Sequence, residues 1–348
     1  MIDWYVLLTP LIVLPIVLLF AFVGCKFEVR GLPASVGQSG DIPVPGPYGF
    51  ALTHAAFFRP SDNSWHIFKG DIFAYFQDPS STDSTEITFT FGQSGDIPIP
   101  GNFDPQEYSF LPAFFRPSDS TYHIGLTRPD GTVEEIAVIP FKSNAFTFQG
   151  GDIPFPPAHY FGNEYARQVA IYRPSTAQWF IFNIKSVLGP TQYEAEPLPP
   201  FTIQISKSGD IPVPGDYEGN GITQPAVFQP STGSWLVGDL SGNLTRKIPS
   251  SLAVLSEDFM LPPENYQGRR PPFISKKVFA VFRPSTSYWY LLDLAGNISN
   301  SFPVGTPGPA PAIPAPGNYN YPGENVVQAV VFSGGYWSKF KDIVHGGS

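Results

Sequence analysis

The sequence predicts an all-β fold behind a single apolar N-terminal helix, and three observations carry that prediction. Of 348 residues, 40 are Pro and 33 are Gly, so more than one in five breaks a helix or forms a turn. Aromatic residues make up 15% and charged residues 14%, against about 25% charged in an average soluble domain. A disordered chain would be charge-rich and aromatic-poor, so this one has the apolar area for a large core. Third, short motifs return at regular intervals, which is the mark of a repeat architecture.

The first element is the run from Trp4 to Cys25, 22 positions without a charge. At 1.5 Å per residue it matches the roughly 30 Å hydrocarbon core of a bilayer. Pro10 and Pro15 would break a soluble helix but are tolerated in a membrane span. Trp4 and Tyr5 stand where an interfacial aromatic belt belongs, and Lys26 and Arg30 close the other end. Residues 1–26 are expected to form a transmembrane anchor. A cleaved signal peptide would begin with basic residues, which Met1-Ile2-Asp3-Trp4 lacks. Phe22-Val23-Gly24-Cys25 resembles a bacterial lipoprotein cleavage box, the alternative in which Cys25 carries lipid.

Behind the anchor, Ser-Gly-Asp-Ile-Pro-Val-Pro-Gly at 39–46 returns in variant form at 94–101, 150–157 and 208–215. Asp41, Asp96, Asp152 and Asp210 are 55, 56 and 58 residues apart. A second motif follows each: Phe-Phe-Arg-Pro-Ser at 57–61 and 114–118, Ile-Tyr-Arg-Pro-Ser at 171–175, Val-Phe-Gln-Pro-Ser at 227–231 and Val-Phe-Arg-Pro-Ser at 281–285, with a degenerate sixth copy at 330–335. An aromatic then sits at fixed offset: Trp65, Tyr122, Trp179, Trp235, Trp289 and Trp337. The units run about 39–93, 94–149, 150–207, 208–258, 259–311 and 312–348.

Within a unit the runs are short, aromatic and β-branched, bounded by Pro, Gly, Ser and Asp, which is strand punctuation. In the fourth unit strands are expected near Phe201–Ile205, Pro225–Gln229, Ser234–Asp239 and Leu244–Ile248. Four strands per unit, repeated radially, make β-propeller blades, so residues 27–348 are predicted to be a six-bladed propeller. The last unit is too short for four strands, and Lys26–Gln38 holds the strand-like Phe27-Glu28-Val29-Arg30. Residues 27–38 are expected to complete that blade and remove its open edges.

The stretch 209–235, Gly-Asp-Ile-Pro-Val-Pro-Gly-Asp-Tyr-Glu-Gly-Asn-Gly followed by Val-Phe-Gln-Pro-Ser-Thr-Gly-Ser-Trp, resembles the bacterial FG-GAP/VCBS-type repeat. The resemblance extends over 27–348 and implies a propeller related to the integrin alpha-chain head, usually outside the cytoplasm, serving adhesion, binding or assembly. It also implies a calcium loop between the two motifs, built from hard oxygen ligands on a tight turn. Here only Asp216, Glu218 and Asn220, before Gly221, keep a remnant of it. Otherwise no cofactor is expected.

Further chemistry is sparse. The repeated Asp residues would form an acidic ring if they faced a central channel; as turn caps they would satisfy backbone N–H groups that Pro leaves without a partner. Arg59, Arg116, Arg173 and Arg283 are expected to pin turns and stack on nearby aromatics. His66 and His123 occupy a strand position that takes Phe180, Leu236 and Tyr290 elsewhere, and read as core. The fifth unit is expected to replace the Gly-Asp-Ile-Pro motif with Met260-Leu261-Pro262-Pro263-Glu264-Asn265-Tyr266 and carries the dense basic cluster Arg269, Arg270, Lys276 and Lys277, a candidate contact for an acidic partner or lipid headgroups. Pro303 to Pro316 reads as an extended loop.

A formal charge of −9 with only 20 Lys+Arg leaves no basic stripe for phosphates and excludes nucleic acid as a partner. One cysteine excludes an internal disulfide framework. The expectation is a non-catalytic, membrane-anchored scaffold or accessory subunit, bound through anchor and propeller faces to other membrane proteins and to lipid. The alternatives are a glycan-binding adhesive propeller, marked by exposed Trp and Tyr on one face, and a hydrolase or lyase working in the central channel. The Lys-poor body and the repeat type favour an extracytoplasmic propeller, while Lys26 and Arg30 favour the cytoplasmic side.

Overall fold

The structure is a computed structural model that describes residues 28–31, 37–48, 53–69, 85–103, 110–128, 131–141, 146–161, 167–186, 193–264, 278–304, 312–316, 330–333 and 336–339. The predicted anchor lies outside these residues, and among them no helix is long and apolar enough to cross a membrane.

The described elements are strands. After β1 (Glu28–Gly31), the first unit gives β2 (Ile42–Pro43), β3 (Ala55–Arg59), β4 (Ser64–Lys69) and β5 (Thr85–Thr90). The second gives β6 (Ile97–Pro98), β7 (Ala113–Arg116), β8 (Thr121–Thr127) and β9 (Val133–Pro140). The third gives β10 (Ile153–Pro154), β11 (Arg167–Arg173), β12 (Gln178–Ser186), β13 (Tyr193–Pro197) and β14 (Phe201–Thr202). The fourth gives β15 (Ile211–Pro212), β16 (Ala226–Gln229), β17 (Ser234–Gly238) and β18 (Leu244–Pro249). The fifth gives β19 (Phe259–Glu264), β20 (Val278–Arg283), β21 (Tyr288–Leu292) and β22 (Ile298–Pro303), and the last gives β23 (Ile313–Pro314), β24 (Val330–Ser333) and β25 (Tyr336–Lys339).

Each unit makes an antiparallel sheet whose strands lie side by side in chain order. Two sheets depart from the plain pattern. In the third, the outer edge of β12 is covered in succession by β13 and β14, because Pro197, Pro199 and Pro200 cannot donate to a ladder. Phe201–Thr202 therefore belongs to the third sheet, correcting its expected place at the head of the fourth. The fourth sheet instead starts on the Ile-Pro dipeptide of the motif itself, which is both turn and strand. In the final sheet the order is β1-β25-β24-β23, with β1 antiparallel to β25 and Val29 opposite Ser338.

The core consists of apolar clusters that each span two consecutive sheets. Phe115 and Tyr122 of the second pack with Ile171 and Phe182 of the third, and Trp235 of the fourth packs with Phe279 of the fifth at 4.9 Å between ring centroids. Ala55 and Phe57 of the first pack with Phe332 and Trp337 of the last. The fold is thus an all-β propeller of four-stranded blades. The unit aromatics Trp65, Tyr122, Trp179, Trp235, Trp289 and Trp337 are all buried in it. Glycine at the end of the motif permits close approach between blades: a Cβ on Gly101 would stand 2.5 Å from Pro157, and one on Gly215 2.7 Å from Pro262.

Antiparallel order sorts the connections into two ends. Turns between second and third strands, and links between sheets, share one end, here the turn end. Loops between first and second and between third and fourth strands leave from the other, the loop end. The chain enters β1 at the loop end, since Glu28 pairs with Lys339 at the finish of β25.

Candidate functional site

The turn end is built by the two repeated motifs acting together. Asp41 N–H donates to Gln38 O, closing a turn on Gly40 at φ +94°, and the Asp41 carboxylate accepts from Gln38 N–H at 2.8 Å. Asp96, Asp152 and Asp210 repeat this cap. The repeated carboxylates are therefore turn caps, buried, and form no acidic ring.

Each also receives the arginine of the second motif. Arg59 donates Nε and Nη2 to the two oxygens of Asp41, both at 2.9 Å. Arg116 does the same to Asp96 at 3.0 and 2.9 Å, and Arg173 to Asp152 at 2.8 and 2.7 Å. This two-pronged geometry is the strongest form of the ion pair. The hydrogen bond to the carboxylate holds the guanidinium of Arg59, and likewise Arg116 and Arg283, above its ordinary range. Each cation also lies over a ring: Arg59 over Phe57, Arg116 over Phe114, Arg173 over Phe180 and Arg283 over Tyr290, at 4.7–5.2 Å from the centroids.

The partner of Arg283 is Asp258, bonded at 2.9 and 2.8 Å, whose carboxylate caps Leu255 N–H like the others. The fifth unit thus keeps the motif, as Ser256-Glu257-Asp258-Phe259, and the described part of the expected replacement, 260–264, belongs to the strand that follows it. The missing Gly and Ile concealed it in the sequence. In the fourth sheet Gln229 stands for Arg: its Nε2 donates to Asp210 at 3.2 Å and to Ile205 O at 3.1 Å. Burial pushes the Asp210 carboxyl up. In the last sheet Ala312 and Ser333 take both places.

Just beyond each Asp, the first residue of the inner strand is the least buried apolar side chain of its motif. Ile42, Ile153 and Ile211 are each 37% exposed and Phe259 is 41% exposed, while Ile97 and Ile313 are half-buried. Ile205 and Leu255, in the links before the fourth and fifth sheets, are exposed at 58% and 47%. The turn end therefore carries an apolar rim held in place by the Asp–Arg clamps. Around it lie Asp62 and Glu257, exposed, and Lys207.

Two units add a polar chain, buried at its hydroxyl and histidine and open to water at its terminal carboxylates, whose histidine sequence reasoning took for apolar core. In the first sheet, Ser64 Oγ lies 2.6 Å from Asp62 Oδ1 and 2.8 Å from His66 Nε2, and His66 Nδ1 lies 2.6 Å from Glu86 Oε1. In the second, Thr121 Oγ1 lies 2.5 Å from Asp119 Oδ1 and 2.8 Å from His123 Nε2, and His123 Nδ1 lies 2.7 Å from Glu135 Oε2. Each imidazole is stacked on a phenylalanine, Phe57 or Phe114. The signal was Asp-x-Ser/Thr-aromatic-His at 62–66 and 119–123, absent from the other units.

The 216–221 loop, expected to keep a remnant of a calcium site, spends its oxygens on itself. Asp216 Oδ1 accepts from Gly219 and Asn220 N–H and Oδ2 from Gly221 N–H, while Glu218 accepts from the Asn220 amide and Asn220 Oδ1 from Ile222 N–H. Two carboxylates and one amide so engaged do not fit calcium, which takes six to eight free oxygens, and among the described residues no group of three or more His, Cys, Asp or Glu is placed to hold a metal. Arg269, Arg270, Lys276 and Lys277 lie outside the described residues, as does Cys25. The five Trp within them are buried, so none offers a glycan-stacking face.

No model of a known protein family matches the chain, including the FG-GAP/VCBS type, and no curated protein matches it. Among solved structures it is similar to Sqt1 from Chaetomium thermophilum bound to the N-terminus of the ribosomal protein L10, at 14% identity over 84% of this chain and 68% of that one, with a TM-score of 0.40. It is also similar to Sqt1 from the same organism solved alone, at 13% identity over 91% and 77% of the two chains, with a TM-score of 0.43. At that level nothing of the neighbours' binding transfers.

Proposed function

We propose that the chain is a non-catalytic protein-interaction propeller, six blades in one closed ring over residues 27–348, held at a membrane by residues 1–26 and serving as a scaffold or accessory subunit. The observation that carries this reading is the apolar rim. Nearly every blade presents the same inner-strand residue half in water at the turn end, on a base made rigid by buried ion pairs, and a protein partner is what such apolar surface accommodates. Asp62, Glu257 and Lys207 supply a polar border.

The membrane part rests on the 22-residue apolar run and on chain direction. That run feeds β1 from the loop end, and the connection carrying Arg269, Arg270, Lys276 and Lys277 also leaves β19 and returns to β20 at that end. Basic residues there suit anionic headgroups. The rim then faces away from the bilayer and is accessible to partners, whose effective concentration the tether raises. The Lys-poor body supports an extracytoplasmic propeller, against which Lys26 and Arg30 favour the cytoplasmic side.

Capture of partners from mildly detergent-solubilised membranes tests this reading. Wild-type protein is expected to retain protein partners that the pair Ile211→Asp and Phe259→Asp loses without a change in melting temperature. Equal capture by both proteins, or a monomer that retains only glycans, overturns it.

A further inference from the structure

The polar chains around His66 and His123 fix how many protons they hold. Ionised Asp62 and Glu86 are acceptors only, and Ser64 has a single hydroxyl hydrogen. Two oxygens 2.6 Å apart need a hydrogen between them, so the Ser64 hydroxyl donates to Asp62. Ser64 Oγ then accepts from His66 Nε2, and Glu86 accepts from Nδ1. Both ring nitrogens carry hydrogen. A neutral ring would leave either a bare Nδ1 facing a carboxylate or two bare oxygens facing each other, in a site where His66 and Ser64 are buried. Thr88 does not supply the missing hydrogen, since its hydroxyl lies 3.4 Å from Nδ1 and donates to Glu86. Asp119, Thr121, His123 and Glu135 repeat the count.

The surroundings agree. His66 faces Asp62 from the hairpin, Glu86 from β5, the ring of Phe57, and Arg59 beyond that ring, whose charge Asp41 engages. The described residues packed on this side from the last sheet, Ala315, Val330, Phe332 and Trp337, bring no ionisable group. His123 faces Asp119, Glu135 and, beyond Phe114, Arg116 engaged by Asp96. On its neighbouring side the first sheet brings only Tyr48, which burial keeps from ionising. Carboxylates thus outnumber free cations around both rings.

We propose that His66 and His123 each hold a structural proton, completing an Asp–hydroxyl–imidazolium–Glu chain, and that the interfaces they face are proton-dependent latches. One of these, between the first and last sheets, borders the seam where β1 meets β25. Loss of the proton removes a hydrogen bond at each latch, leaves a carboxylate facing a bare ring nitrogen and weakens that interface.

Histidine-selective ¹H–¹⁵N spectra of the full chain in detergent, assigned by His66→Gln and His123→Gln, test this together with melting curves against pH. At pH 7 both rings are expected to carry hydrogen on both nitrogens, and the melting temperature is expected to drop across the range where those signals lose it. In the Glu86→Gln, Glu135→Gln variant, whose amides can donate to a bare Nδ1, the rings become neutral at pH 7 and the drop disappears. Single-tautomer neutral rings at pH 7 in the wild type overturn the proposal, and that spectrum decides alone where the variant fails to fold.

Discussion

The first, second, third and fifth sheets carry a buried carboxylate held by arginine, the fourth keeps the carboxylate but offers it glutamine, and the last has alanine and serine in the two places. Only the last sheet lacks both charges, whereas the fourth lacks the cation alone and gives its carboxylate a neutral donor. An uncompensated buried charge is far costlier than an apolar pair of similar shape, so a sheet without the arginine either gives the carboxylate another donor or loses the carboxylate too. The fourth sheet is the intermediate case, with the carboxyl of Asp210 raised by burial and only a neutral amide beside it. The last sheet, which lacks the clamp, is also the one completed by a strand from the other end of the chain. Its cohesion rests on β1 and on apolar packing against both neighbours.

The largest effect that could break this comparison is in the third sheet. Arg173→Met leaves Asp152 buried and unpaired and is expected to cost about 3–5 kcal/mol in denaturant unfolding. Adding Asp152→Ala should recover part of that loss, and a double variant no more stable than the single one would show that the pair is not a unit. Next, Gln229→Arg installs the missing cation and is expected to stabilise by about 1 kcal/mol at pH 7. In the wild type the raised Asp210 carboxyl contributes stability at low pH that is lost as pH rises through its folded-state titration. The gain from Gln229→Arg should therefore be larger at pH 7 than at pH 3, and an equal gain at both would contradict the ion-pair explanation.

Hairpin turns after the second motif give a smaller effect. Ser287 has φ +53° and a buried hydroxyl without a hydrogen-bond partner, whereas the fourth sheet has Gly233 at φ +60° in the equivalent place. Ser287→Gly is expected to raise stability by about 1 kcal/mol, read as a higher denaturation midpoint; a lower one would show that the turn is not strained. The smallest expected effect is none: millimolar calcium should leave the melting temperature unchanged, and a clear rise would mean that the 216–221 loop opens its oxygens to the ion.

Much of the fold was legible because its signals are local. Ile-Pro dipeptides, the Arg-Pro-Ser turns and the Trp offsets recur in register, and each fixes its own few residues through turn chemistry or strand alternation. What stayed hidden was pairing across distance. Asp41 and Arg59 stand 18 residues apart and read as two independent motifs, although one grips the other. Asp258 was missed because recognition leaned on Gly and Ile, while the physical requirement is a carboxylate that caps the turn and meets Arg283. His66 looked apolar because its equivalents are apolar, and its partner Glu86 is contributed by a strand 20 residues further on. The apolar rim was equally hidden, since partial exposure of one Ile or Phe in each unit depends on how neighbouring sheets meet.

The central claim is that the ring is closed by its own N-terminal strand, and a cross-link tests it most directly. Val29 and Ser338 are opposite one another across β1 and β25. In a Cys25→Ser background, the pair Val29→Cys and Ser338→Cys should oxidise within one molecule, giving a monomer of faster gel mobility under non-reducing conditions and a higher melting temperature. Failure to cross-link, or formation only of disulfide-linked dimers, would contradict closure.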